Sequence, residues 1–197
     1  MPSPTTPTLR RRTALLATAA LPLTLLPCTM TQAATDTAPA VPAELAALLP
    51  QARLVGKGSL RFFGLMVYEA RLWAAPGFEP QRWEQHAFGL ELQYARKLEG
   101  SAIAERSVAE MRRIGPFSQE QAQRWLALMT RAFPDVVAQD RLLGWHRGQG
   151  EVRFLHNGRP TADLTDADFA RLFFGIWLAP QTSAPALREA LLGLNTR

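Results

Sequence analysis

The chain has 197 residues and a formal net charge of +5, and residues 1–33 hold three arginines but no acidic residue. Without that segment the formal charge is +2, too low for the basic footprint of a nucleic-acid-binding domain. The single cysteine, Cys28, lies in the same segment, so the rest of the chain excludes an internal disulfide, a thiolate metal site and a cysteine nucleophile.

Residues 1–33 have the pattern of a secretory signal peptide. The arginines at positions 10–12 form a basic head, residues 14–26 an apolar run, and Thr31 and Ala33 a small-residue cleavage site. The apolar run is too short and too interrupted by proline to span a bilayer, so we expect no stable membrane insertion after cleavage. We predict a periplasmic or secreted protein that begins near Ala34, and the paired arginines permit the twin-arginine route.

A lead-in and a single domain follow this segment. Residues 34–45 are rich in Ala, Thr and Pro, a composition that predicts a flexible stretch. Residues 46–197 contain no internal repeat and are numerous enough for one domain with its own core.

Several segments of the domain have the composition of β-strands, rich in β-branched and aromatic residues or alternating between apolar and polar. These segments are residues 52–64, 65–73, 88–94, 142–145 and 152–155. The second segment has one apolar face, formed by Met66, Tyr68, Ala70 and Leu72. A hairpin loop separates the last two segments, and Asn157-Gly158 marks a further tight turn between antiparallel strands.

Four helices are predicted from apolar residues at three- and four-residue steps and from terminal signals. They cover residues 103–114, 118–133, 165–179 and 183–192. Ser118 and Gln121 have capping-box spacing, and so do Thr165 and Asp168, while Pro180 stops the third helix. Because strands and helices are segregated along the chain, we predict an α+β fold, an antiparallel β-sheet with helices packed on one face.

Several of these segments, taken in order, resemble the chalcone isomerase-like proteins, and most closely their bacterial, exported branch. The segments are Val67-Tyr68 on the glycine-punctuated strand, LQYAR at 92–96, Glu105-Arg106, Glu110-Met111, FPD at 133–135 and FFGIWL at 173–178. The resemblance covers residues 54–193 and implies the chalcone isomerase fold, with a cleft between sheet and helices. That family includes isomerases that close a chalcone to a flavanone and non-catalytic members, some of which bind fatty acids.

The residues that the isomerases use for catalysis are replaced here. Their tyrosine and asparagine, on the helix after the third long strand, help polarise the substrate ketone, and the resemblance places Ile103 and Glu110 at those positions. Ile103 has no hydrogen-bond donor, and an anionic Glu110 would oppose a phenolate and a developing enolate. A threonine of the family is replaced by Phe174. The family's ligand-attracting strand arginine falls at Leu60 or Arg61.

The candidate ligand-binding residues are Arg61, Tyr68 and Arg96. A guanidinium binds a carboxylate through two parallel hydrogen bonds, and a tyrosine hydroxyl is a neutral donor. The structural alternative is a solvated or ion-paired arginine in each case, and a core tyrosine at position 68. Arg106 and Glu110 are four residues apart on one helix and are expected to pair with each other.

No feature of the sequence calls for a metal or a cofactor. His146 and His156 flank the predicted hairpin, an arrangement that zinc could use, but no third ligand is evident, so we expect surface histidines. The chain has no glycine-rich phosphate loop and no nucleophile-elbow serine. The aromatic face at Phe169, Phe173 and Trp177 is expected to be core.

The leading hypothesis is a non-catalytic periplasmic protein that binds an amphipathic acid, such as a fatty acid, in the cleft between sheet and helices. One alternative is an isomerase (an intramolecular lyase) that acts on a chalcone-like enone. The other is a partner protein of an envelope complex that binds no ligand. The lost catalytic positions distinguish the first hypothesis from the second, and nothing in the sequence distinguishes it from the third.

Overall fold

A computed structural model describes residues 39–194 together with residues 1 and 3. The predicted signal peptide, apart from residues 1 and 3, and residues 34–38 of the predicted lead-in lie outside these residues. The chain divides after Asp36, and the fold belongs to the second unit, Thr37–Arg197. Among the described residues, no helix is both long and apolar enough to cross a bilayer.

Six strands form one antiparallel sheet, in which each strand is hydrogen-bonded to the one before it in the chain. They are β1 (Arg53–Phe62), β2 (Leu65–Ala74), β3 (Phe88–Tyr94), β4 (Arg141–Gly148), β5 (Glu151–His156) and β6 (Arg159–Thr165). The first five correspond to the predicted segments, and the Asn157-Gly158 turn joins β5 to β6 as expected.

In the described part of the chain, five α-helices accompany the sheet, and a short 3-10 helix covers Pro80–Gln85. They are α1 (Ala43–Leu48), α2 (Gly100–Ile114), α3 (Gln119–Ala132), α4 (Ala167–Leu178) and α5 (Pro185–Leu191). The last four are the predicted helices. Helix α1 was not predicted and begins inside the segment assigned to the lead-in, where Leu45 is fully buried.

The predicted packing on one face is confirmed for helices α2 to α5. Helix α5 lies against β1 and β2, α3 against β6 and α4 against β5, while α2 packs on α3 and α4. The strand residues on this face are the predicted alternate positions, so Tyr68, Ala70 and Leu72 of β2 enter the main core. Close contact between α5 and β1 requires glycine at position 56, because a Cβ there would lie 2.1 Å from the Ala190 carbonyl oxygen.

On the opposite face of the sheet, helix α1 packs against the strands and a buried carboxylate forms ion pairs. Glu91 on β3 is 2% exposed and accepts hydrogen bonds from Trp73 Nε1 at 3.1 Å and Arg141 Nη1 at 3.2 Å. Arg71 lies 3.7 Å from the same carboxylate. Arg141 also pairs with Glu44 of α1 at 3.0 Å. Because a buried charge is costly unless paired, these contacts tie α1 to strands β2, β3 and β4.

The N-terminus of α4 is capped by Asp166, not by Thr165 as the sequence predicted. The Asp166 carboxylate accepts from the Phe169 N–H at 3.0 Å, from Trp125 Nε1 at 2.9 Å and from Arg124 Nη2 at 3.3 Å. Thr165 is instead the last residue of β6. The prediction was wrong because both residues are good caps, and Thr165 belongs to a strand that the sequence did not predict.

Replacing Asp166 with Ala should therefore lower the free energy of unfolding by about 2 kcal/mol, since it removes the cap and leaves the Trp125 N–H without its acceptor. The matched change Thr165→Ala should alter stability by less than about 0.5 kcal/mol. Urea denaturation of both variants measures the difference. Equal losses in the two variants would contradict the assignment of the cap.

Candidate functional site

Tyr68 lies at the centre of a buried polar group between the sheet and the helices. It is 9% exposed, opposite Leu60 on β1 and Tyr94 on β3. Its hydroxyl oxygen accepts a hydrogen bond from Trp177 Nε1 of α4 at 3.0 Å. The rings of Tyr68 and Tyr94 meet edge to face with centroids 5.9 Å apart. Because the hydroxyl accepts from Trp177, its own proton remains available to a ligand oxygen.

Helix α2 adds a buried carboxylate to this group. Glu110 is 7% exposed and pairs with Arg106, as predicted, and more distantly with Arg113, whose Nε lies 3.7 Å from Glu110 Oε2. That oxygen is buried and accepts no hydrogen bond from any residue in the described part of the chain. Two guanidinium groups therefore offset the Glu110 charge, but one acceptor stays unsatisfied.

Burial moves the pKa values of both tyrosines further above neutral pH. It raises the pKa of Tyr68 to about 12, an effect that the hydrogen bond from Trp177 reduces and the negative charge of Glu110 increases. Burial, followed by proximity to Tyr68, also raises the pKa of Tyr94. At neutral pH both hydroxyls are protonated, so Tyr68 can donate a hydrogen bond but cannot act as a base.

The structure brings the three predicted ligand-binding residues to one end of the sheet. A register shift places Arg61 opposite Met66, two residues before Tyr68 on β2. Arg96 follows β3, in a segment held beside β2 by the hydrogen bond from the Ala95 N–H to the Val67 carbonyl at 2.9 Å. Tyr68 is buried, whereas Arg61 and Arg96 are exposed.

Aromatic side chains occupy most of the space between sheet and helices, as the core assignment of the α4 face predicted. Phe169 and Phe173 stack with centroids 5.3 Å apart, and Phe174 meets Phe88 at 4.9 Å. Three apolar side chains are only half-buried: Leu60, which pairs with Tyr68 across β1 and β2, Met66, two residues before Tyr68, and Ile103 on α2. We call these three residues the rim.

The positions that match isomerase catalytic residues differ in their surroundings. Ile103 and Glu110 are seven residues apart on α2, about two turns, so they share one face of that helix. Phe174 is fully buried against Phe88 and His146 and belongs to the core. The α2 pair therefore shares one helix face, whereas Phe174 is part of the core.

The prediction of a surface histidine is wrong for His146. It is 2% exposed because it shares the helix-facing side of β4 with Leu142 and Gly144. Its Nδ1 donates to the His86 carbonyl at 2.9 Å, since a carbonyl can only accept. His156 lies at the other end of the β4–β5 hairpin. Within residues 39–194 no group of three His, Asp or Glu side chains is placed to hold a metal ion.

Two surface cavities lie away from Tyr68. One, of about 480 Å³, is lined by residues of β4, β5 and β6, including Trp145 and Arg153. The other, of about 280 Å³, lies between Trp83, His146 and the start of α4. The residues that line these two cavities include none of the three predicted ligand-binding residues.

An antiparallel sheet covered by helices defines an α+β class of fold. A family model described as chalcone isomerase-like matches residues 53–193, and the chain therefore belongs to the chalcone isomerase-like family. This confirms the resemblance and its extent. Membership of an exported bacterial branch stays a prediction.

Two further proteins are similar to this chain. An uncharacterized protein of Haemophilus influenzae is 30% identical over 104 residues, which are 53% of this chain and 50% of that protein. The match thus spans about half of that relative's length. The crystal structure of an Arabidopsis thaliana fatty-acid binding protein superposes with a TM-score of 0.58 at 12% identity, covering 73% of this chain and 87% of that chain. At that identity the likeness establishes the shared fold.

The partner of Tyr68 was not predicted from the sequence. Trp177 is 109 residues away along the chain, and the apolar periodicity of α4 indicated only that its indole faces the core. A buried Trp N–H needs an acceptor, and this need was the one available signal. It could not indicate which acceptor is used.

His146 should make stability depend on pH. Burial lowers its pKa below the ordinary 6.5, so the unfolded chain binds more protons than the folded one at acid pH. The contribution of the neutral His146 to the free energy of unfolding is complete above pH 6.5. It is lost as the pH falls below that value, at up to about 1.4 kcal/mol per pH unit. His146→Asn keeps a donor for His86 but cannot titrate. We expect a flatter dependence below pH 6.5 in urea denaturation, and an unchanged slope would contradict the assignment.

Proposed function

We propose that this protein is an exported, non-catalytic binding protein for an amphipathic acid, with a long-chain fatty acid as the first candidate. The ligand enters the cleft at the rim, and its head group lies at the end of the sheet where Arg61, Tyr68 and Arg96 meet. Family membership and the fold shared with a plant fatty-acid binding protein support this proposal. Export rests on the pattern of residues 1–33.

The observation that carries the proposal is the buried Tyr68 hydroxyl. A polar group in an apolar cleft costs free energy unless it has partners, and Tyr68 uses Trp177 for only one of its interactions. With a pKa of about 12 it presents a permanent O–H donor. A carboxylate oxygen at the rim would accept that proton, and the acyl chain would contact the apolar residues beside it.

The charges near the rim favour an acidic head group. Arg61 and Arg96 are exposed on either side of the Tyr68 strand. Each guanidinium can bind a carboxylate through two parallel hydrogen bonds. Glu110 opposes an anion, but Arg106 and Arg113 pair with it. The five side chains together carry a positive formal charge.

The acyl chain must displace side chains as it enters. The interior of the core is packed with aromatic rings. Leu60, Met66 and Ile103 at the rim are only half-buried, and flexible methionine and leucine side chains rearrange at lower cost than stacked rings. We therefore propose that the acyl chain of the ligand lies under the rim, on the side of α2 that is nearer to β1.

The isomerase alternative finds less support in this site. Closing a chalcone requires donors for a developing oxyanion, and here the helix α2 positions carry an isoleucine and a buried carboxylate. A protonated Tyr68 remains as one donor. The third alternative, a ligand-free partner in an envelope complex, is decided by whether the protein binds an acid at all.

Calorimetric titration with a long-chain fatty acid tests the proposed site. Arg61→Ala and Arg96→Ala should each weaken binding by at least tenfold, because a carboxylate leaving water needs its charge partner. Tyr68→Phe should weaken it by less, about fivefold, since it removes one neutral donor. Arg159→Ala, an exposed arginine on the far edge strand β6, is the matched control and should bind as wild type does.

Thermal melts of the same variants separate loss of the site from loss of the fold. If the wild-type protein binds the fatty acid and all three variants bind it with equal affinity, the binding site lies elsewhere. No binding by wild type, together with no acid co-purifying in native mass spectrometry of the periplasmic protein, would favour the envelope partner. Enzyme-dependent cyclisation of a hydroxychalcone above background would favour the isomerase.

A further inference from the structure

Large apolar side chains are exposed together at the turn between β1 and β2. Phe62 is 58% exposed, Phe63 90% and Leu65 61%. The two phenylalanine rings meet edge to face with centroids 4.5 Å apart, so they form one apolar surface. We call residues 62–65 the hairpin tip. Isolated exposed apolar residues are ordinary, whereas a contiguous group marks a contact with another molecule or a membrane.

The backbone of the hairpin tip favours a different residue at position 63. Phe63 and Gly64 have φ values of 47° and 79°, as a two-residue type I′ turn requires. The β5–β6 turn has φ values of 47° and 81° and uses Asn157 and Gly158. Asparagine tolerates this left-handed region, and a bulky aromatic residue rarely adopts it. Phenylalanine at position 63 is thus unfavourable in two ways, because its backbone adopts a left-handed conformation and its ring is exposed to water. This combination indicates that the ring contacts another molecule.

Exposed basic residues surround the hairpin tip. Arg61 directly precedes it, and Arg96 and Lys97 lie in the segment hydrogen-bonded beside β2. Glu99 is the exposed acidic residue of that segment, so the balance remains positive. An apolar tip flanked by basic residues complements an anionic bilayer, where aromatic side chains enter the interface and Arg and Lys bind headgroup phosphates.

We propose that the hairpin tip docks this protein reversibly on an anionic lipid bilayer. Phe62, Phe63 and Leu65 enter the headgroup region, and the three basic residues hold the phosphates around them. The contact is peripheral and involves no spanning segment. It also faces the rim towards the lipid, since both lie at the same end of the sheet. Docking does not depend on the proposed ligand.

The replacement Phe63→Asn separates docking from folding. It creates the Asn-Gly pair that the turn prefers, so the melting temperature should stay equal or rise. Binding to vesicles of phosphatidylglycerol and phosphatidylcholine in equal parts should weaken by at least tenfold, because an aromatic side chain no longer enters the interface. Co-sedimentation of the exported form, residues 34–197, measures binding without any fatty acid. Leu194→Ser, which removes an exposed apolar residue near the other end of β1, should bind as wild type does.

The two lysines of the chain provide a matched pair for the charge contribution. Lys97→Gln should weaken binding to the same vesicles about fivefold, the usual effect of one basic residue at an anionic surface. Lys57→Gln should have little effect, because Lys57 lies five residues before Phe62 on β1, roughly 17 Å along the strand. Raising the salt concentration should weaken wild-type binding as well.

Several outcomes would overturn the proposal. Wild type that does not sediment with anionic vesicles, or a Phe63→Asn variant that sediments equally well, would refute it. Equal binding to vesicles of phosphatidylcholine alone would exclude the charge recognition. A concentration-dependent dimer that Phe63→Asn abolishes, with no vesicle binding, would assign the hairpin tip to self-association. Because no fatty acid is present, failure of the ligand proposal would leave these results unchanged.

Discussion

The burial of helix α4 is the constraint on which the rest of this structure depends. Nine of its twelve residues are buried, including Phe169, Phe173 and Trp177. A helix that is apolar on nearly all sides must be enclosed, and here the sheet, α2 and α5 enclose it. Its aromatic rings fill the space over β3, β4 and β5, so the sheet cannot bury its inner face without α4, and α4 has no other place to lie.

The same helix determines where the polar group forms. Trp177 lies in its last turn and needs an acceptor once its ring is buried, and Tyr68 on β2 supplies one. At the other end, Asp166 caps the helix and binds Trp125 of α3, so both ends of α4 are fixed by hydrogen bonds to other elements. The position of Tyr68 relative to Glu110 of α2 follows from this framework. The half-buried side chains of the rim therefore lie beside a part of the structure that is fixed.

The Tyr68 hydroxyl is a neutral donor between the exposed Arg61 and Arg96, and the hairpin tip exposes apolar side chains next to basic ones. Both lie at the end of the sheet where β1, β2 and β3 meet. The isomerase chemistry known in this family requires donors on α2, and the side chains that stand at those positions supply none.

Much of the fold was predictable from the sequence, because strand alternation and helix periodicity are local properties. The segments of β1 to β5, the capping box at Ser118 and the pairing of Arg106 with Glu110 depend on residues a few positions apart, and the structure confirms them. Helix α1 was missed because its short apolar stripe gains stability only against Trp73 and Leu143 on the outer face.

The sequence by itself determined the order of β1 to β5 and α2 to α5, the family and most of the residues that face the core. It could not assign Asp166 over Thr165 as the cap, the burial of His146 or the bond between Trp177 and Tyr68. Those features arise from contacts between residues 41 to 109 positions apart. Such contacts form only when the sheet and helices close on one another, so only the tertiary structure decided them.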